Sequence, residues 1–368
     1  MSDKLNVLLI GQCSFKYRGG HRCFFGGTEK MNDVLIRVMQ EHCNVFFLFD
    51  HGIESSRQDY MQYYNLADTN TIPDSIEDLE KYLIDNHIDI VMISGWLSDT
   101  LIKCIKELFS RIDTPIIMYN HGTNCCNSDD YMTEDVKTKD NFYIINCTQH
   151  EYNRCISHGI PENRLFLIDN PVDIEQEVLD KVGQVPLTND FAITARMVVG
   201  KGIPNTLSIC EKLNKKAVII GNKCRGYVLR DIAARFPGLY EARGILPREQ
   251  LVDIVLHSQM FGFMPNEPEG MSLCVLEANA LGVPAITWND YSIPNFIDNK
   301  YNIFLEHTSD FVDRFMSLYN SRSDFMDFYL DPNNRKDLSN RTMEKYGIKR
   351  YGVIINSIIF NCYNNSRK

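Results

Sequence analysis

The sequence lacks the patterns that mark secreted or membrane-spanning chains. Its longest apolar runs fall short of the about 18 to 20 residues that cross a bilayer, and MSDKLNVLLIG at the start has no basic region before a long apolar stretch. The 12 cysteines form no C-x-x-C pair and no Cys/His cluster with zinc-ligand spacing. We therefore expect a cytoplasmic protein with reduced thiols; peripheral attachment to a membrane stays open.

Two cofactor motifs and a basic charge balance are also missing. Neither G-x-x-x-x-G-K-S/T nor a clean G-x-G-x-x-G follows a predicted strand, which argues against P-loop and nicotinamide-cofactor proteins. Lys and Arg total 38 against 48 Asp and Glu, a net charge of -10. This charge argues against nucleic-acid binding over the whole surface but leaves a local basic groove open.

What is present indicates an α/β protein of two domains. The chain has 368 residues, 44% of them hydrophobic, which favours two domains with sizeable cores. Short β-branched runs alternate with segments of helical period, the signature of parallel α/β architecture. Strands are predicted at residues 6–11, 45–50, 88–95, 115–122, 142–148, 164–172, 191–196, 217–222, 259–265, 284–288 and 302–305.

Local signals place one helix and one linker. The apolar stripe from Met31 to Met39 predicts a helix with Thr28 as its N-cap. Residues 173–190 are polar and contain both Gly and Pro, which predicts a linker. We therefore predict two Rossmann-like domains, residues 1–173 and 174–345, followed by a helical segment at residues 346–368.

The strongest chemical signal is PNEPEGMSLCVLEANALGVPAI, residues 265–286. A strand ends near Pro265, a glycine-containing turn follows, and a helix begins near Met271. Free N–H groups at such a helix start favour an anion such as a diphosphate. Glu269 and Glu277 would border that site, at distances suited to the hydroxyls of a nucleotide sugar. The alternative is that Glu277 only decorates a helix face and that Gly270 is an ordinary loop glycine.

Two cations follow the first strand of the predicted second domain. Arg196 and Lys201 lie in TARMVVGKG, where ligands of parallel sheets bind. They would oppose the negative charge that grows on a departing nucleoside diphosphate. The alternative is a pair of solvated loop cations.

Two further candidates lie in the predicted first domain. His121 ends a predicted strand in IIMYNHGTN, a place where ligands of parallel sheets bind. The alternative is that it is an ordinary polar loop residue. Residues 16–30, KYRGGHRCFFGGTEK, combine glycines and cations that would suit an acidic acceptor, or form a solvated loop. Within this segment Gly26 and Gly27 are the stronger candidates.

Together these motifs resemble the retaining GT-B glycosyltransferases of family 4. Residues 265–286 are similar to that family's EGFG…LEAMACGxPVI, and Arg196 with Lys201 to its G-R-L-x-x-x-K-G. GGTE at residues 26–29 is similar to its GGxE loop, and NPVD at residues 170–173 to its N-G-V-D turn. The departures are Ala195 and Pro171 for glycines, and Met271-Ser272 for Phe-Gly, where donor phosphates approach the backbone.

The resemblance implies a fold and a site. The fold would be GT-B, two Rossmann-like domains with a cleft between them and a C-terminal helix crossing back to the first. Val353, Ile354, Ile358 and Phe360 would pack that helix. The implied catalytic residues are His121, Arg196, Lys201 and Glu269. Among them, His121 would contact the donor sugar. The implied donor-binding residues are Gly26, Gly27, Gly270, Met271, Ser272, Leu273 and Glu277.

The resemblance thus predicts a hexosyl- or pentosyltransferase that moves a sugar from a nucleotide-diphosphate sugar to an acceptor hydroxyl of a glycan, glycolipid or other molecule, in the synthesis of a glycan or glycoconjugate. No D-x-D triplet occurs, which argues against metal-dependent GT-A enzymes, and no metal or cofactor is expected. Three alternatives stay open: a sugar-nucleotide epimerase, an enzyme that glycosylates modified DNA bases, and a binding protein without catalysis.

Overall fold

The structure is a computed structural model, and the chain divides into two compact units. The first comprises Met1–Gly20, Gly26–Pro171 and Ile348–Lys368, and the second His21–Phe25 and Val172–Gly347. The structure describes residues 4–12, 16–18, 21–23, 26–49, 57–73, 75–95, 107–108, 111–121, 138–222, 226–290 and 292–367. Of the helices within these ranges, none has both the length and the apolar character that crossing a bilayer requires.

The first unit is built on a seven-stranded parallel sheet in the order β5-β4-β1-β6-β7-β8-β9. Its strands are β1 Leu5–Gly11, β4 Cys43–Phe49, β5 Asp68–Thr71, β6 Ile90–Ser94, β7 Ile116–Asn120, β8 Phe142–Asn146 and β9 Leu165–Leu167. Two short strands lie outside both large sheets, β2 Lys16–Arg18 in the first unit and β3 His21–Cys23 in the second. Its helices are α1 Gly27–Gln40, α2 Arg57–Tyr64, α3 Ile76–Asp85, α4 Gln149–Ser157 and the last helix, α14 Ile348–Asn365, with a 3₁₀ turn at Glu162–Arg164. The central strands are mostly apolar and almost wholly buried because helices cover both faces of such a sheet.

The second unit repeats this architecture with six parallel strands in the order β12-β11-β10-β13-β14-β15. These are β10 Asn189–Thr194, β11 Ala217–Ile220, β12 Tyr240–Gly244, β13 Ser258–Phe263, β14 Ala285–Trp288 and β15 Ile303–Leu305. The helices are α5 Gln176–Leu179, α6 Ile203–Leu213, α7 Gly226–Arg235, α8 Arg248–Leu256, α9 Leu273–Ala280, α10 Ile293–Phe296, α11 Phe311–Asn320, α12 Phe325–Leu330 and α13 Pro332–Tyr346, with a 3₁₀ turn at Val199–Lys201.

Each sheet contains one point where the strand order reverses. In the first sheet it lies between β1 and β6, and in the second between β10 and β13. Ligands of open α/β sheets bind outside the carboxyl ends of the strands at such a point. The predicted fold class, α/β with two Rossmann-like parallel sheets, is confirmed. Both sheets contain the reversal of strand order at which ligands of open α/β sheets bind.

Helix α14 packs on α1 within the first unit. A Cβ on Gly352 would lie 3.4 Å from the Val38 side chain, so the two helices approach closely. The Asn356 amide donates to the Val38 carbonyl at 2.9 Å and is buried. Gly352 and Asn356 therefore lie on the face of α14 that contacts α1.

The expected packing residues of α14 are therefore partly wrong. Val353 is 70% exposed and Phe360 is 38% exposed, because both lie on the face away from α1. Ile358 is buried as expected, and Ile354 is half-buried. Ile355 and Ile359, which the sequence pattern did not single out, are fully buried instead.

Two other local expectations differ from the structure. Gly26, not Thr28, is the N-cap of α1, and it makes no side-chain cap bond because it has no side chain. The expected linker at residues 173–190 contains helix α5, and its Leu179 and Val182 are buried. The end of the strand predicted at residues 115–122, Gly122, and parts of the segment at residues 16–30 lie outside the described residues.

Candidate functional site

The candidate site of the second unit starts where β10 and β13 end. These neighbouring parallel strands pair directly, with Ala192 opposite Phe261, so their carboxyl ends emerge side by side. β10 leads into the segment that carries Arg196 and Lys201, and β13 leads into the turn at Glu269. The strand order thus brings two motifs, distant in sequence, to one edge of the sheet.

Asparagine side chains tie the two loops together. Asn266 donates twice: its side-chain amide to the Val199 carbonyl at 2.8 Å, and its backbone N–H to the Gly200 carbonyl at 2.9 Å. The Asn205 amide donates to the Met264 carbonyl at 2.9 Å. These three bonds fix the segment after β10 against the loop after β13.

Lys201 and Glu269 form an ion pair across the two loops. The Lys201 ammonium donates to Glu269 Oε1, and both side chains are about one-fifth exposed. A partly enclosed pair of this kind is less screened than a surface pair. The structure therefore holds a cation and a carboxylate together at the switch point, a pairing that the sequence did not predict.

The turn after Glu269 is also held by Ser292, a residue in the segment that follows β14. The Ser292 hydroxyl lies 2.6 Å from the Glu269 carbonyl oxygen and 2.9 Å from that of Gly270, and its single proton is shared between them. Ser272 is the N-cap of α9 but makes no side-chain cap bond. With the turn carbonyls engaged by Ser292, the first turn of α9 is a suitable place for an anion that its N–H groups would bind.

Glu277 lies on α9 and is paired with a residue that the sequence motifs do not reveal. Glu277 is 9% exposed, and its Oε1 is 2.8 Å from Nη2 of Arg248. The same Nη2 donates to the Asp173 carbonyl at 2.9 Å. No short motif links Arg248 to Glu277, because the pairing depends on tertiary packing that brings the start of α8 to α9 rather than on sequence spacing.

Cys274 adds a thiol to the first turn of α9. Burial raises its pKa, and neighbouring Glu269 raises it further, while Ser272 and Lys201 oppose the shift. Its Sγ lies 3.1 Å from the Ser272 hydroxyl. A thiol that stays protonated at neutral pH is a poor nucleophile, so the geometry offers no activated cysteine here.

The other cation of the motif, Arg196, lies on the same segment as Lys201 but is exposed. Gly270 is half-buried and Met271 is buried, both in the turn before α9. Leu273 is the first residue of α9. The second unit thus brings together Lys201, Glu269 and the start of α9, and its Glu277 lies further along the same helix.

His121 belongs to the first unit, just after β7. Its Nε2 lies 2.7 Å from the Ser94 hydroxyl at the end of β6. Ser94 donates to Asn32 Oδ1 at 2.5 Å, and the Asn32 amide donates to the Gln12 carbonyl at 2.9 Å. Burial lowers the pKa of His121 to about 4, with the Asn170 side chain opposing the shift.

These bonds determine which nitrogen of His121 carries the proton. The Asn32 amide group donates to Gln12, so its oxygen faces Ser94 as an acceptor. Ser94 has only one proton, which it gives to Asn32, and its oxygen therefore accepts from Nε2–H of His121. The ring is neutral at physiological pH, with the proton on Nε2 and a lone pair on the buried Nδ1.

The glycines predicted near the start of α1 are also in the first unit. Gly26 is the N-cap, in extended backbone, and Gly27 is the first helical residue. A Cβ on Gly26 would lie 2.8 Å from a carboxylate oxygen of Glu29, so the carboxylate occupies the space of a side chain. The roles of Gly26, Gly27 and His121 in donor binding stay predictions.

In the described part of the chain, no three His, Cys, Asp or Glu side chains converge as metal ligands would. The donor set at the switch point consists instead of one ion pair, backbone groups and a protonated thiol.

Comparison with solved structures finds the same fold over nearly the whole chain. A glycosyltransferase from Rickettsia africae matches with a TM-score of 0.73 and 13% identity, over 100% of this chain and 99% of that one. Sucrose-phosphate synthase from Thermosynechococcus elongatus matches with 0.73 and 10%, over 98% and 100%. HepE from Anabaena, in complex with UDP, matches with 0.72 and 10%, over 97% and 100%.

Comparison by sequence finds no match, either among protein-family models or among curated protein sequences. At identities of 10 to 13%, the structural matches establish architecture. The chain has the fold of the GT-B glycosyltransferases.

Proposed function

We propose that the chain is a glycosyltransferase that moves a sugar from a nucleoside-diphosphate sugar to an acceptor hydroxyl. The observation that carries the proposal is the Lys201–Glu269 ion pair beside the start of α9, at the carboxyl ends of β10 and β13. Supporting it, HepE of the same fold has been crystallised with UDP and with UDP-glucose. The similar motifs of family 4 extend the proposal to that family and to its retaining stereochemistry.

In the proposed site the diphosphate lies against the first turn of α9. The helix N–H groups and dipole favour its negative charge. Lys201, with Arg196 on the same segment, opposes the charge that grows as the glycosidic bond breaks. Glu277 accepts hydrogen bonds from the hydroxyls of the nucleotide ribose.

Retention is proposed to occur on one face of the sugar, without a protein nucleophile. The Cys274 thiol is held protonated, and the Glu269 carboxylate is engaged by Lys201. The bond from the anomeric carbon to the phosphate oxygen breaks, and the acceptor oxygen forms the new bond. The acceptor proton passes to the departing phosphate. The protein supplies position and electrostatic stabilisation.

We further propose that the reaction needs no metal or other cofactor, and that the sugar is a hexose or a pentose. The acceptor would be a hydroxyl of a glycan, a glycolipid or a related molecule, and the enzyme would work in the cytoplasm. Arg196 and Lys201 would then do the work that a divalent cation does in metal-dependent transferases.

The proposal is tested by ligand screening followed by transfer. UDP-, GDP- and ADP-sugars are compared for thermal stabilisation of the whole chain, since a ligand that binds the native state raises its melting temperature. The best donor is then incubated with hydroxyl acceptors in excess EDTA, and the product anomer is assigned by NMR. Retained anomeric configuration with EDTA present is expected.

Other outcomes would contradict parts of the proposal. Loss of transfer in EDTA, with rescue by manganese or magnesium, contradicts metal independence. Conversion of the donor sugar to its epimer without any acceptor indicates an epimerase. Absence of binding to every nucleotide sugar contradicts the donor site itself.

A further inference from the structure

Arg248 connects three separate segments of the second unit. It is the first residue of α8, after the N-cap Pro247. Its Nη2 lies 2.8 Å from Oε1 of Glu277 on α9 and 2.9 Å from the carbonyl oxygen of Asp173 at the start of the unit. One guanidinium therefore joins the beginning of α8 to the middle of α9.

The position of Arg248 is unfavourable for α8 itself. Cations destabilise the first turn of a helix because the dipole is positive there, and acidic residues are preferred. The guanidinium is directed to Glu277, so the local cost is offset by a contact outside α8. Glu277 in turn is nearly buried, and a buried carboxylate is stable only when paired.

We propose that Arg248 is a positioning residue that holds the Glu277 carboxylate for the nucleotide ribose. This inference rests on the proposed function, in which Glu277 accepts from the ribose hydroxyls. Nη2 of Arg248 contacts Oε1 of the carboxylate, and this contact restrains the orientation of the carboxylate group. A lysine could pair with Glu277, but its flexible stem and rotatable ammonium would restrain the carboxylate less than a rigid guanidinium that is also bonded to the Asp173 carbonyl.

The experiment measures discrimination between ribose and dideoxyribose in the whole chain. UDP, GDP and ADP are titrated calorimetrically, and the tightest binder is compared with its 2′,3′-dideoxy analogue. In the wild type, loss of hydroxyls bonded to a carboxylate should weaken binding about ten- to hundredfold. Arg248→Met should bring this ratio below about threefold, as should Glu277→Gln, while binding of the dideoxy analogue stays nearly unchanged.

Two further variants keep the result interpretable. Arg248→Lys should restore part of the discrimination, and it replaces Arg248→Met if the latter fails to fold. Arg243→Met is the matched control, because Arg243 lies on β12 of the same unit and pairs only with the exposed Glu241 at 2.6 Å among its described ion pairs. It should keep the wild-type ratio.

The outcomes distinguish a failure of the positioning role of Arg248 from a failure of the proposed function. If no nucleoside diphosphate binds the wild type, the proposed function is wrong, and the role of Arg248 falls with it. If the wild type and Glu277→Gln differ as expected but folded Arg248→Met or Arg248→Lys keeps the full wild-type ratio, Arg248 only stabilises the fold. In that case the donor site stands and the positioning role is overturned.

Discussion

Gly202 approaches Met264 so closely that a Cβ at position 202 would lie 1.8 Å from the Met264 carbonyl oxygen. Gly202 has a φ of 57° and is the N-cap of α6, directly after Lys201. Met264 directly follows β13. The contact between these two backbones therefore fixes the distance between the loops that carry Lys201 and Glu269, and only glycine satisfies both the space and the dihedral angle.

Gly202→Ala should destabilise the protein by more than the dihedral cost alone. The left-handed conformation costs a non-glycine residue about 1 to 2 kcal/mol, and forcing an atom into a packed site adds about 1 to 3 kcal/mol. The free energy of unfolding, from urea denaturation, measures the sum. Gly238→Ala is the control, because Gly238 has a φ of 75° and a Cβ added there would meet no atom within 4 Å. Equal losses in the two variants would contradict the steric account.

Lys201→Met should lower kcat strongly while the protein stays folded. A preorganised cation that opposes growing charge contributes about 2 to 4 kcal/mol to transition-state stabilisation. Steady-state kinetics with the best donor measure this loss. Lys215→Met is the control, since Lys215 forms a comparable ion pair with Asp190 at the opposite end of β10. Wild-type turnover in Lys201→Met would remove the leaving-group role.

The central strands of both sheets could be predicted because burial on two faces makes them continuous apolar runs. Two of the four edge strands, β5 with sequence DTNT and β12 with sequence YEARG, are absent from the predicted strands, whereas the apolar edge strands β9 and β15 are among them. An edge strand that is mostly polar has an apolar signal too weak to separate from a loop. Its strand conformation depends on a neighbour, here β4 for β5 and β11 for β12.

The residues of the candidate site also fall into those that the sequence could predict and those that it could not. Glu269 and Glu277 could be found because a strand, a turn and a helix are contiguous in sequence and carry a recognisable spacing. Arg248, Ser292 and Ser94 could not, because each makes its contact only through packing of distant segments. The roles of all the predicted site residues stay predictions.

His121 should make the first unit less stable as pH falls below neutrality. Its pKa is about 4 in the folded protein, below its ordinary value of 6.5. Between these values the unfolded chain binds more protons, so the free energy of unfolding falls as pH drops from 6.5 towards 4, by at most roughly 3.5 kcal/mol. The unfolding free energy at several pH values measures the slope.

His121→Gln should flatten this slope, because Gln can still donate to Ser94 but does not titrate. His150→Gln replaces an exposed histidine of the same unit and serves as the control. In the wild type, nitrogen-15 NMR should show a neutral ring protonated on Nε2. An unchanged slope in His121→Gln, or a ring protonated on Nδ1, would contradict the hydrogen-bond assignment through Ser94 and Asn32.

Helix α14 should be sensitive to substitution on one face only. Ile355 is fully buried within the first unit, so Ile355→Ala should cost about 2 to 5 kcal/mol. Asn356→Leu should cost about 1 to 3 kcal/mol, because it removes the donor to the buried Val38 carbonyl. Val353→Ala, on the exposed face, should change stability by less than about 0.5 kcal/mol. Chemical denaturation of the three variants compares these losses. Val353 and Ile355 are both β-branched and lie two positions apart on one helix. Equal losses of unfolding free energy in their alanine variants would show that α14 does not pack on α1 in the observed rotation. The expected contrast assigns the stability that α14 contributes to the face that carries Gly352 and Asn356.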